Sequence, residues 1–313
     1  LSQPVAIGVV GVGYLGRFHA LIYARHPGVR LVGVVDTDAD TAAKVAAEAG
    51  TTAYPDAREL LGKVDGVSIV VPTSAHLEVA RLFLDAGVHV LLEKPIAASV
   101  TEGRAIVDAA ADAGVILQIG HLERFNAGVM ALAERISEPR FIEAHRMSPF
   151  VPRATDVDVI SDLMIHDIDI VLSLVDADIA QISAAGTPVL TDHIDIANAR
   201  IEFANGAVAN VIASRVSREK MRRIRVFQQQ RYQSLDFIDQ RLDVAYPQRR
   251  PGQAWPEIVS ERLDIEPVKP LDAEIDAFVD SVRSGTPPLV GGEVGLRALD
   301  VAMQVKRRIE ATP

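Results

Sequence analysis

Two hydrophobic patterns alternate along the first 120 residues. Short apolar runs rich in branched side chains occupy positions 5–10, 31–35, 67–71, 88–92 and 115–119. Runs of this length, apolar throughout, predict strands buried on both faces. Between them, segments 41–49, 76–86 and 101–113 are alanine-rich with helical period, and Leu15, Phe18, Leu21, Ile22 and Ala24 trace a further helix after the first run. Strands alternating with helices predict a doubly wound parallel sheet, in which ligands bind beyond the carboxyl ends of the strands.

Beyond residue 120 the texture changes. Helices are expected at 123–137 and 162–174, followed by strand-like runs at 179–185, 194–203, 207–216, 223–227 and 233–238. Asn205-Gly206 between two such runs is a hairpin signal. Residues 246–256, rich in Pro, Gln and Arg, predict a surface loop, and helices at 271–284 and 295–310 close the chain. The fold class expected is α/β: an N-terminal Rossmann sheet over residues 1–120, then an α+β domain with an open, mainly antiparallel sheet over 121–313.

Composition narrows the function without naming it. The chain has 313 residues, 49% apolar and 24% charged, as in an ordinary globular protein. A net charge of −10 argues against a nucleic-acid surface. With no cysteine there is no disulfide, thiol catalysis or zinc–thiolate site. No apolar run reaches the ~18 residues that a membrane span needs. No basic-then-apolar leader precedes the first strand, so the expected location is cytoplasmic.

The first strand runs straight into Gly11-Val12-Gly13-Tyr14-Leu15-Gly16 and then a helix. In that context the glycines read as a dinucleotide fingerprint: Gly11 for the turn, Gly13 for close approach of a pyrophosphate, Gly16 for helix–strand packing. The anion would sit at the helix N-terminus, with Tyr14 and Leu15 in the cradle. Asp36 ends the second run, 20 residues after Gly16. A carboxylate there accepts from a ribose 2′-OH and repels a 2′-phosphate, and no Arg or Lys follows in Thr37-Asp38-Ala39-Asp40, so NAD is expected over NADP. The alternative is that Asp36 only caps the next helix.

Further chemistry gathers at the same predicted edge. Pro72-Thr73, Glu93-Lys94-Pro95 and His121 all fall at strand ends. An ammonium at Lys94 can polarise a carbonyl or hydroxyl and move a proton. His76, just inside a helix, reads as structural. In the second half, Asp162 and His166 stand four apart, so on a helix they share a face, and a carboxylate can orient an imidazole for taking a proton from an alcohol. The alternatives are an N-cap at Asp162 or a metal site; no third ligand stands at a fixed offset, and no metal is expected. Arg124, Arg146 and Arg153 could grip a phosphate- or carboxylate-bearing substrate.

This combination resembles the Gfo/Idh/MocA family, the glucose–fructose oxidoreductase and inositol dehydrogenase group, over essentially the whole chain. Gly11–Gly16 with His19-Ala20, Pro72, His76, Glu93-Lys94-Pro95 and the Asp162/His166 pair match in order. The resemblance implies a Rossmann domain plus an open sheet domain that builds oligomers, here a homodimer or homotetramer. It also implies metal-independent hydride transfer at a sugar or cyclitol carbinol carbon. Lys94 and His166 become the proton-handling and polarising pair, with Asp162 beside them; which is the base stays open.

Three stretches, at 120–126, 148–153 and 162–169, are similar to the bacterial branch of UDP-N-acetylglucosamine 3-dehydrogenases. That implies a nucleotide-sugar substrate touching Lys94, His121, Arg124, Arg146, Arg153, Asp162 and His166. The alternatives are a dehydrogenase of a free sugar or inositol, and a non-catalytic NAD-binding sensor or corepressor.

Overall fold

The computed structural model describes residues 3–151, 157–266 and 268–311. They form two compact units: residues 1–122 with 269–299, and residues 123–268 with 300–313.

The first unit runs β1 (Val5–Val10), α1 (Tyr14–Arg25), β2 (Val29–Val35), α2 (Ala39–Ala49), β3 (Thr52–Tyr54), β4 (Gly66–Ile69), α3 (His76–Leu84), β5 (His89–Glu93), α4 (Val100–Ala113) and β6 (Leu117–Gly120). The six strands are all parallel in the order β3-β2-β1-β4-β5-β6. The order reverses between β1 and β4, and the crevice at such a switch point is where a doubly wound sheet binds its ligand. Every residue of β1 is buried, which is why the sequence shows it as an unbroken apolar run. Helix ends follow local rules: Asp38 caps α2 through Asp40 N and Thr41 N, Ser99 caps α4 through Glu102 N, and Gly50 and Gly114 close both helices in the left-handed region. The three-residue edge strand β3 is too short to leave a periodic signal.

The second unit contains α5 (Ala127–Ala133), β7 (Pro139–Met147), α6 (Ile165–Leu174), β8 (Ile179–Thr187), β9 (Ile196–Phe203), β10 (Val208–Ser214), β11 (Met221–Gln228), β12 (Arg231–Asp236), β13 (Arg241–Gln248) and β14 (Glu257–Leu263). Its eight strands lie in the order β14-β13-β12-β11-β7-β10-β9-β8, antiparallel except where β7 pairs with β10. One face carries the core residues Ile142, Ala144, Ile224 and Leu235, and on that face Gly128 of α5 meets Leu235 and Arg146 meets Asp167 of α6. The opposite face carries Phe141, Phe227 and Tyr232 in a row, with Glu143 paired to Arg225 beside them.

Three expectations change. The central strand β7 falls in a stretch where no element was expected, because Arg146 stands at an inward position that the alternation would fill with an apolar side chain. The helix expected at 123–137 is a short 3-10 turn at Leu122–Phe125 and then α5, which restarts because Asn126 accepts from Gly128 N at 2.9 Å and caps it. The expected loop at 246–256 begins only after β13 ends at Gln248.

The domain boundaries also change. The first break falls within two residues of that expected, but residues 269–299 belong with the first unit. They carry α7 (Pro270–Ser284) and the start of α8 (Gly292–Glu310). The reason is burial: Ile275, Phe278 and Val279 of α7 join Val5, Ile7, Val9, Ala20 and Tyr23 in one apolar cluster. Phe278→Ala should therefore cost about 3–5 kcal/mol, as for a large core deletion, measured by urea unfolding followed on the nucleotide-binding unit. A loss under about 1 kcal/mol would show that α7 is not part of that core.

Candidate active site

The glycine turn is set by close contacts. Gly11 has φ +83°, and a Cβ on it would lie 2.6 Å from the Val70 carbonyl oxygen, so only glycine fits between β1 and the end of β4. A Cβ on Gly16 would stand 1.8 Å from the Gly11 carbonyl oxygen. At Gly13, by contrast, a Cβ would meet nothing within 4 Å. Two glycines close the turn against protein, and the third faces open space where a pyrophosphate fits. Gly13 precedes α1 without a side-chain cap, and no acidic residue occupies the first turn, so the helix N-terminus suits an anion.

Asp36 is not the cap of α2; Asp38 is. The Asp36 carboxylate instead accepts from Val12 N at 2.7 Å and Asp38 N at 3.0 Å. It is thereby held against the glycine turn at the end of β2, with lone pairs left for ribose hydroxyls. These donors, the open cradle and the acidic group fit a dinucleotide.

The loops after β4 and β5 are tied together by His76. Its Nε2 lies 3.0 Å from the Val71 carbonyl oxygen and its Nδ1 3.0 Å from that of Pro95, which joins the Pro72-Thr73 turn to the loop carrying Lys94. The Lys94–Pro95 peptide is cis. Glu93 and Lys94 are half-buried at the end of β5, and the Lys94 N–H donates to the Glu93 carboxylate at 3.2 Å. His121 is buried just past β6. Gly11, Gly13, Gly16, Asp36, Pro72, Thr73, Glu93, Lys94 and His121 thus all stand at the carboxyl ends of one sheet. The sequence reading passed over how much polar chemistry lies beneath that edge, where His19, Ser68 and Glu274 are buried.

In the second unit, residues Ile160–Met164 form a π-helical turn that passes into α6, with Asp162 in the turn and His166 in the helix, both half-buried. Such wide turns are rare and recur at functional sites. The cap is Asp158, which accepts from Ser161 N at 2.8 Å, so the capping alternative for Asp162 does not hold.

Arg146 is buried, with Nε 2.8 Å and NH2 2.9 Å from the two Asp167 oxygens and NH1 2.8 Å from Glu123. Burial works against its charge, but Asp167 and Glu123 more than offset this and hold the guanidinium protonated. A guanidinium so enclosed joins β7 to α6 and is already occupied, so the substrate contact expected of it gives way to a framework role. Arg124 lies 3.4 Å from Asp169 and is partly exposed. Arg153 lies outside the described residues.

Comparison with known proteins follows this geometry closely. Residues 5–121 match the model of an oxidoreductase family with an NAD-binding Rossmann fold, and residues 130–231 match the GFO/IDH/MocA C-terminal domain. A UDP-N-acetylglucosamine 3-dehydrogenase of Acidithiobacillus ferrooxidans is 42% identical over 305 residues, 97% of each chain. The chain belongs to the Gfo/Idh/MocA oxidoreductase family. A solved structure of that Acidithiobacillus enzyme superposes with a TM-score of 0.92 over 99% of both chains at 41% identity. A scyllo-inositol 2-dehydrogenase of Bacillus subtilis is 31% identical over 69% of each chain. A levoglucosan dehydrogenase in complex with NADH shares the fold, at 19% identity and a TM-score of 0.86. As a member of this family the chain is an NAD-dependent dehydrogenase acting on a CH–OH group.

Two predictions follow from the edge geometry. Asp36→Asn keeps an acceptor for Val12 N but removes the charge, so the preference for NAD over NADP should fall about tenfold or more in kcat/KM; an unchanged ratio would take Asp36 out of the cofactor site. Burial lowers the pKa of His76 below its ordinary 6.5, against the pull of its carbonyl partners. The unfolded chain therefore binds a proton that the folded one refuses, and stability from this group is present above pH 6.5 and lost as pH falls below it. The stability gap between wild type and His76→Gln should narrow as pH is lowered through that window, read by denaturant midpoints. A gap that widens instead would show that His76 is held as the cation.

Proposed function

We propose that the substrate is a nucleotide-activated amino sugar, UDP-N-acetylglucosamine or a close relative, oxidised from the 3-hydroxyl to the ketone. The observation that carries this reading is the 42% identity to the Acidithiobacillus UDP-N-acetylglucosamine 3-dehydrogenase, which runs through 97% of both chains and so includes both units.

NAD, when bound, supplies the acceptor for the hydride that leaves the carbinol carbon. The chain supplies the rest. The Gly11–Gly16 turn and the first turn of α1 receive the pyrophosphate, Asp36 receives the ribose, and Pro72, Thr73 and Glu93 line the strand ends beside it. Lys94 and His166 divide the proton work at the hydroxyl: one takes the proton, the other holds the charge that develops on oxygen, with Asp162 orienting the imidazole. His121 and Arg124 are the substrate contacts that this reading retains, with Arg153 a further candidate.

The same reading makes the enzyme a cytoplasmic homodimer or homotetramer. The row of Phe141, Phe227 and Tyr232 on the sheet face opposite α5 and α6 supports association through that face. A second reading, a dehydrogenase of free inositol, draws on the 31% identity to the Bacillus enzyme, but that match covers only 69% of the chain.

The test is purified protein with NAD and a panel of UDP-sugars, free sugars and inositols, followed by absorbance of reduced nicotinamide. Reduction with UDP-N-acetylglucosamine and not with inositols is expected; the reverse would establish the second reading. In the same assay Lys94→Ala should lower kcat by about 100-fold or more with the dissociation constant for NAD nearly unchanged. Full activity of that variant would remove Lys94 from the chemistry.

A further inference from the structure

The apolar interior of the first unit holds a polar chain that runs up to Glu93 at the sheet edge. Tyr23 and His19 of α1 both reach Ser68 of β4, with Tyr23 OH 2.8 Å and His19 Nδ1 3.3 Å from its Oγ. On its other side His19 Nε2 lies 3.4 Å from Glu93 Oε1, while Glu93 Oε2 receives the Lys94 N–H. Glu274 of α7 completes the group, since ligating atoms of His19, Glu93 and Glu274 all lie within 4.8 Å of one another. Gly120 leaves the space: a Cβ there would stand 3.0 Å from the Glu93 carboxylate.

Glu274 is fully buried, and neither of its carboxylate oxygens accepts a hydrogen bond from any donor. An isolated buried carboxylate is too costly to keep ionised, and two carboxylates this close do not both ionise. Of the two, Glu93 is partly exposed and already accepts an N–H, whereas Glu274 is enclosed and accepts none. Desolvation, with the nearby Glu93 charge, pushes the Glu274 carboxyl well above its ordinary range.

We propose that Glu274 is a positioning residue for Lys94: as a neutral carboxylic acid inside the core, it turns its one proton toward the neighbouring Glu93 carboxylate and so fixes the group that receives the Lys94 backbone N–H. The proposal rests on the reading of Lys94 as a catalytic residue. It gives a reason for a glutamate on the buried stripe of a helix far along the chain from any motif.

Glu274→Gln stays neutral and keeps a donor; Glu274→Met matches it in size and has none. The first should hold kcat within about twofold of wild type, and the second should lower kcat about tenfold or more while the dissociation constant for NAD stays put. An infrared difference spectrum between wild type and Glu274→Gln at neutral pH should show the carbonyl stretch of a protonated carboxyl. Wild-type turnover in Glu274→Met, beside an inactive Lys94→Ala, would overturn the positioning role alone; an active Lys94→Ala would overturn the reading beneath it. If Glu274→Met does not fold, the infrared comparison decides, and absence of the band overturns the proposal. So does stoichiometric zinc or manganese in the purified protein that is lost in Glu274→Gln, because the three side chains would then be ligands for a cation.

Discussion

The contact between residues 16 and 11 governs the nucleotide end of the molecule. There is no room for any side chain where the first turn of α1 crosses the Gly11 carbonyl. Only with that crossing in place does α1 start directly after β1, aim its N-terminus past Gly13 into open space, and bring Val12 N to within 2.7 Å of Asp36. The turn therefore does two jobs with one constraint. It makes an anion site from backbone donors, and it fixes the carboxylate that distinguishes a free ribose from a phosphorylated one.

The same edge shows how a sheet interior accommodates polar groups. His76 sets its two ring nitrogens beside carbonyls of the loops after β4 and β5, so that the neutral ring donates to one of them at a time, and burial disfavours the charged form. Tyr23 is likewise held as the neutral phenol by burial, even though its bond to Ser68 favours ionisation. In the second unit the solution differs. Arg146 stays charged inside the core face of the sheet because Asp167 and Glu123 enclose it on three sides. Neutral groups bonded to carbonyls and a hydroxyl serve one unit, and an ion-pair cluster joins strand to helix in the other.

What the sequence revealed depends on how far each element obeys one period. Strands buried on both faces, such as β1, are apolar throughout and were legible. So were the three glycines and Asp36, because their spacing is dictated by backbone geometry. Strand β7 was not, although Ile142 and Ala144 alternate correctly, because the next inward position is Arg146. An arginine there is intelligible only with Asp167 beside it, and that neighbour is supplied by tertiary structure. Arg146 consequently looked like a ligand for a substrate anion when its anions were internal.

Glu274 was missed, and His19 was matched without a role, for a related reason, yet each leaves a trace. Along α7 the buried positions are Glu274, Ile275, Phe278, Val279 and Ser281, a helical stripe with a carboxyl group in it. Along α1, His19 sits with Gly16, Ala20, Ile22 and Tyr23 in the same way. A charged residue on an otherwise apolar stripe costs stability unless it is neutralised or paired. Two such interruptions on different helices of one core are each other's explanation: the polar side chains meet, and their meeting point lies under Glu93.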